Sequence, residues 1–235
     1  MVKVHASSKL VGHVSRDATA IEAPERPAAK PAAPTPTAPA KRGRPKKGEV
    51  RPPAPPKRLE VQPTRPLADN LADLPARCDV ECKRNSKGHQ ESWIGYKLHL
   101  DTMDGDIPVS AVLTSASVHD SQVAIPLAQM TAQRLTSLYD LMDSAYDAPQ
   151  IHAFSRSLGH VPIIDPNPRG REKVPLAPAE AVRFKERSAS ERVNSLLKER
   201  YGGRWVRVRG ASKVMCHLMF GLVALTASAL FARLC

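Results

Sequence analysis

Acidic side chains are in short supply in this 235-residue chain: 23 Asp and Glu stand against 35 Lys and Arg, a formal charge of +12. That imbalance suits a polyanionic partner such as nucleic acid. Cysteine is sparse too, and Cys78, Cys82, Cys216 and Cys235 make no disulfide framework. Cys78 and Cys82 have a spacing that a metal could use, but His89 alone does not complete a zinc site. Long apolar runs are missing except at residues 214–234, VMCHLMFGLVALTASALFARL. The run has the length of a membrane span, yet His217, Thr226 and Ser228 interrupt it and Arg233 ends it. A buried C-terminal helix packed on the sheet is expected, with no membrane partner.

Periodicity is the next absence. Between Pro24 and Pro66 lie thirteen of the 22 prolines, interleaved with Ala, Lys and Arg, and no repeat there could bury a core. The expectation is a basic, Pro/Lys-rich disordered insert over 24–77. It divides residues 1–23, which hold the first strand, from residues 78–235, which hold the remainder of the same domain. At its centre KRGRPKKGE (41–49) resembles an AT-hook. In that reading Arg42 and Arg44 enter a narrow A·T-rich minor groove and Lys46 and Lys47 meet phosphates; a generic basic tether is the alternative.

What remains can build one sizeable core. A strand is expected near residues 10–21, with Asp17 inside it. An acid is unfavourable there, so something must use it or solvate it. Residues 83–93 read as a surface loop, and WIGYKLHL (93–100) as a half-buried strand with Ile94, Tyr96, Leu98 and Leu100 on one side. Asp104-Gly105 is a hairpin signal that leads into a strand at 107–115. Asp120 is placed to cap a helix to about Arg134. LYDLMD (138–143) reads as a strand, Asp147 as the cap of a helix to about Leu158, VPII (161–164) as a strand and 165–175 as a basic loop. In FKERSASERVNSLLK (184–198), Phe184, Arg187, Glu191 and Lys198 fall within about 60° of one another on a helix. Val182, Ala189, Val193, Leu196 and Leu197 lie roughly opposite. Gly202-Gly203 stops the helix. Spacing alone also fits an ordinary surface helix with an Arg187–Glu191 pair.

Three stretches together narrow the choice. The 184–198 pattern resembles the Tyr-x2-Arg-x3-Glu-x6-Lys signature of bacterial insertion-sequence transposases of the DDE type, with Phe184 in place of Tyr. SRDATAIEA (15–23) and LYDLMDSAYD (138–147) resemble the same family's other motifs, in the same order, and the likeness runs from about Lys9 to Leu234. It implies a ribonuclease-H-like α/β fold, a mixed sheet flanked by helices with the insert after the first strand. It also implies metal-dependent DNA cleavage and strand transfer at insertion-sequence ends. Asp17, Asp143 and Glu191 would be the catalytic and metal-holding acids, binding two Mg²⁺, with Mn²⁺ as substitute, to clamp the scissile phosphate. Asp143 is preferred to Asp140 and Asp147 as the acid at a strand's C-terminal end. Arg187 would orient Glu191, and Lys198 would meet phosphate. Arg169, Arg171 and Lys173, with Arg204, Arg207 and Arg209, supply further backbone contacts, while Trp205 is expected to pack.

The partners implied are double-stranded DNA and a second copy on that DNA, in a bacterial cytoplasm at the nucleoid. No helix-turn-helix pattern fits ahead of Lys9, so a C-terminal catalytic part is expected, either a truncated copy or the second frame of a split gene. The competing function is an inactive remnant that only binds DNA.

Overall fold

The computed structural model describes residues 1–6, 8–29, 55–84, 88–170 and 172–234. In chain order it has α1 (Val2–Ala6), β1 (Leu10–Glu22), α2 (Arg58–Val61), α3 (Leu67–Ala72), β2 (Asp79–Arg84), β3 (Gln90–Met103) and β4 (Ile107–Ser115). There follow α4 (Ser121–Ala132), β5 (Thr136–Met142), α5 (Pro149–Ser157), β6 (Val161–Ile164), α6 (Pro178–Phe184), α7 (Ser188–Arg200) and α8 (Ala211–Leu234). The sheet order is β2-β3-β1-β5-β6, with β4 beside β3. β1, β3 and β4 pair antiparallel, and β5 and β6 add in parallel. This is the expected ribonuclease-H-like mixed sheet with helices on both faces. The insert sits in the connection between β1 and β2.

Pleating sends alternate side chains of a strand to opposite faces, and here helices cover both. Tyr96, Leu98 and Leu100 of β3 join Ile21 of β1 under α7 and α8, against Val193, Leu197, Val214, Leu218, Leu222 and Leu225. Their neighbours Lys97, His99 and Asp101 point the other way and are just as buried. β3 is therefore a central strand, not the half-buried one expected, and its polar residues must find partners inside. Lys97 meets Glu81 and Asp120 at 2.8 and 3.0 Å. Arg16 of β1 makes a two-pronged pair with Asp101, both bonds 2.8 Å, and Thr131 of α4 also donates to Asp101 at 2.6 Å.

Several boundaries differ from the sequence reading. Order returns well before Cys78: α2, a 3₁₀ turn at Gln62–Thr64 and α3 pack on α4. Gln62 donates to Gln122 O at 2.7 Å, Asn70 donates to Gln129 at 3.0 Å, and Leu74 joins Val112, Val123 and Leu127. Proline removes a backbone hydrogen bond inside a helix but is well tolerated at its start; Pro66 stands at the N-cap of α3. The AT-hook-like element at 41–49 lies outside the described residues. The 83–93 loop is largely strand, because β2 pairs with the first half of β3.

Asp120 and Asp147 do not cap as expected. Asp120 faces Lys97, and α5 begins after Ala148 while the Asp147 carboxylate accepts from His152 and from Asn167 N–H. The 184–198 helix is broken by a 3₁₀ turn at Lys185–Arg187, which leaves Val182 exposed. α8 meets the length and hydropathy expected of a membrane span, and one stripe of it packs on the core. Gly221 lets it approach α7, since a Cβ there would lie 2.3 Å from Tyr201 O. Its opposite side leaves Phe220 and Phe231 exposed, so the helix is buried on one face only.

Candidate active site

Strand register sets the first two acids side by side. β1 and β5 run parallel with Arg16 beside Met142, so the next residues, Asp17 and Asp143, follow at the same level. Asp17 shares its face with Leu100, the face that α7 covers. From α7, Asn194 Nδ2 donates to Asp17 Oδ2 at 3.1 Å. Asp143 ends β5, and its Oδ1 accepts from Ala145 N–H at 2.9 Å, capping the 3₁₀ turn Ser144–Tyr146. That turn, rather than an α-helix after Asp147, is where a carboxylate cap is used.

Glu191 comes from the first turn of α7. Arg187 at the head of that helix bonds to Glu191 and lies 3.9 Å from Asp17. The same guanidinium sits over the Phe184 ring, 5.8 Å from its centre. Asp17 and Glu191 are thus joined through one cation. Among the described residues no three His, Cys, Asp or Glu side chains are gathered closely enough to ligate a single ion. Glu191 is the outlying member: its side chain is 56% exposed, whereas Asp17 is 18% exposed.

Electrostatics ties the set together. Burial pushes the Asp17 carboxyl up to about 6; Arg187 and the Ala18 amide oppose that, and Asp143 and Glu191 add to it. Burial also raises Asp143, against the Ala145 amide, and Asp120 raises it further. Lys198 is lowered by burial and by Arg204, and Glu22 and Asp17 pull it back. A buried carboxyl that neighbouring acids push upward marks a site short of positive charge. Oxygen-only donors of this kind fit a hard divalent cation.

Sequence reasoning missed three participants. Tyr146 is buried, its hydroxyl has no hydrogen-bond partner among the described residues, and the charges of Asp120, Asp17 and Asp143 all act on it. Lys97 and Asp120 form the buried pair just described. Their signal was weak, since a lysine or aspartate in an alternating strand or ahead of a helix reads as solvated or capping.

The proposed DNA contacts fall in separate places. Arg42, Arg44, Lys46, Lys47 and Arg171 lie outside the described residues. Arg169 donates to Asp147 O, and Lys173 pairs with Asp165 at 2.8 Å. Arg187 points inward to the acids, Lys198 is half-buried, and Arg204 and Arg207 are exposed. Arg209 donates to Pro24 O at 2.8 Å. Trp205 does not pack as expected: it is 75% exposed, and its neighbour Val206 takes the core position in the 204–210 segment instead.

No curated protein matches this chain at a significant level. Among solved structures, it is similar to the catalytic core domain of BIV integrase at 18% identity and a TM-score of 0.37. That match covers 62% of this chain and 79% of the other. Residues 13–227, a span that includes all three acids, match the family described as the transposase DDE domain, and the chain belongs to that family.

Proposed function

We propose that this protein is a transposase that cuts double-stranded DNA at the ends of a bacterial insertion sequence and transfers the strand. It would be of the Tyr-x2-Arg-x3-Glu-x6-Lys type, with Phe184 at the Tyr position. The observation that carries the proposal is geometric: strand register sets Asp17 beside Asp143, and Arg187 links Asp17 to Glu191, three acids far apart in sequence.

Asp17, Asp143 and Glu191 would hold two Mg²⁺, or Mn²⁺ in their place. Bound there, the ions would lower the nucleophile's pKa and stabilise charge on the entering and leaving oxygens. The chain's own groups do the positioning. Asn194 fixes the Asp17 carboxylate and the Ala145 amide fixes Asp143. Arg187 holds Glu191 beside Asp17 until the exposed glutamate turns inward. Lys198, which feels the charge of Asp17, and Arg204 beside it present positive charge near the acids, where a DNA backbone would pass. Arg169, Arg171, Lys173 and Arg207, with Arg42, Arg44, Lys46 and Lys47 of the insert, would supply further backbone contacts. Self-association on DNA and a place at the nucleoid in the cytoplasm complete the reading.

The second reading, a DNA-binding remnant without chemistry, is favoured by Phe184. A phenylalanine keeps the ring under Arg187 but offers no hydroxyl. Incubating the protein with a duplex carrying the element's terminal inverted repeat, with and without Mg²⁺, separates the two. Metal-dependent nicking that Asp143→Asn abolishes supports the transposase, and binding without nicking under both Mg²⁺ and Mn²⁺ supports the remnant.

A further inference from the structure

One turn separates the acids from a recess between α5 and the loop after β6. Its volume is about 590 Å³. One wall is α5, where His152 and Arg156 stand one helical turn apart; the facing wall is the loop after β6, with Asn167 and Arg169. The Arg156 side chain is exposed and makes no hydrogen bond or ion pair among the described residues. His152 Nε2 lies 3.1 Å from Asp147 Oδ1. Arg169 has a φ of +47°, a left-handed conformation that an arginine adopts at a cost of about 1 kcal/mol or more. Asn167 sustains it by accepting the Arg169 N–H at 3.1 Å, while the guanidinium donates to Asp147 O. Asp147 is the one acid among the described residues that line the recess, and it already takes His152 and the Asn167 N–H, the latter at 3.0 Å. Positive charge is in surplus.

The recess is built onto the acid site. Asp143 caps the front of the Ser144–Tyr146 turn, and Asp147 follows directly behind it. Asn167 Nδ2 donates to Ser144 O at 3.3 Å, and Asp165 N–H donates to Met142 O at 3.1 Å. A group seated between Arg156 and Arg169 is therefore held at a fixed offset from Asp143. Two guanidiniums and an imidazole lining one recess suit a tetrahedral oxyanion.

We propose that this recess binds one backbone phosphate of the DNA strand that runs past Asp143, on Arg156, Arg169 and His152. The proposal rests on DNA being the substrate, but not on cleavage.

The test is fluorescence anisotropy of a labelled duplex across a NaCl series in EDTA, comparing the parent with Arg156→Ala and with Arg156→Ala/Arg169→Ala. Each phosphate contact contributes about 0.9 to the slope of log K against log salt. The double variant is expected to lose about one unit of slope, and Arg156→Lys to keep it. Should the double variant lose its fold by thermal melting, Arg156→Ala alone carries the comparison, since that side chain has no partner to lose. Inorganic phosphate is titrated against the parent in parallel. Weak, tens-of-millimolar phosphate binding with the loss of slope supports a DNA contact. Tight phosphate binding with an unchanged slope assigns the recess to free phosphate and overturns the proposal, as does an unchanged slope with no phosphate binding. Because cleavage is not read, a chain that loses slope yet never nicks DNA refutes the transposase reading and leaves the recess standing.

Discussion

Arg16 and Asp17 are neighbours on one strand and meet opposite environments. Arg16 turns toward α4, where Asp101 answers both arms of its guanidinium and Thr131 adds a third bond to the carboxylate. Asp17 turns toward α7, where Asn194 and a distant Arg187 meet it and two further acids push against it. The same strand carries a settled charge on one face and an unsettled one on the other. A stable interior has no use for the second arrangement, so it marks where the fold gives up stability for a ligand.

The largest expected effect is on chemistry. Asp143→Asn should reduce Mg²⁺-dependent nicking by roughly 10³-fold, the loss of several kcal/mol of transition-state stabilisation. DNA binding should stay near that of the parent. Gel assays of nicking and of binding on the same preparation read both; a variant that nicks like the parent removes Asp143 from the site.

Breaking the settled pair should damage the fold instead. Asp101→Ala leaves Arg16 buried and alone, at a cost of about 3–5 kcal/mol in denaturant unfolding, whereas Arg16→Met/Asp101→Leu should cost much less. Equal costs for the single and the double change would contradict the view of the pair as mutually compensated.

How far the sequence foretold these two environments differs by element. The candidate acids stand in three stretches that resemble one family's motifs, only the last with a fixed spacing, and β1 and β5 could be found as runs. Their partners could not. Lys97, His99 and Asp101 look like the wet side of a strand, and only the second layer of helices makes them interior. α2 and α3 were hidden by averaging composition across a proline-rich stretch in which Leu59, Leu71 and Leu74 are the few anchors. Trp205 was expected to pack because large aromatics usually do, and it faces outward from a connection whose Val206 and Val208 face the core.

His99 sharpens the comparison by pH. Burial lowers it to about 4, against the pull of Asp120, and its Nε2 meets Thr114 at 2.9 Å. The folded value lies below the ordinary 6.5, so the neutral ring's contribution is fully present above pH 6.5 and is lost as pH falls toward 4, about 3 kcal/mol in all. Unfolding free energies measured at steps through that window should show the decline in the parent, and His99→Gln should flatten it.

The smallest effects should separate the two sides of α8. Leu218→Ala on the buried side is expected to cost about 2–4 kcal/mol, and Phe220→Ala on the exposed side within about 0.5 kcal/mol. Similar losses in chemical denaturation would mean that Phe220 is covered in solution.

The central claim, that Asp17 is held in an acid cluster awaiting a cation, is tested most directly by the melting temperature of the parent and of Asp17→Asn at pH 7.5 with increasing Mn²⁺. Because the folded Asp17 value of about 6 lies above its ordinary 3.8, its ionisation opposes folding, progressively as pH rises through that interval and fully above it. The penalty is at most about 3 kcal/mol. The account predicts that Asp17→Asn melts higher than the parent without metal, that Mn²⁺ raises the parent, and that the variant barely responds. A variant that melts lower and responds to Mn²⁺ like the parent would contradict it.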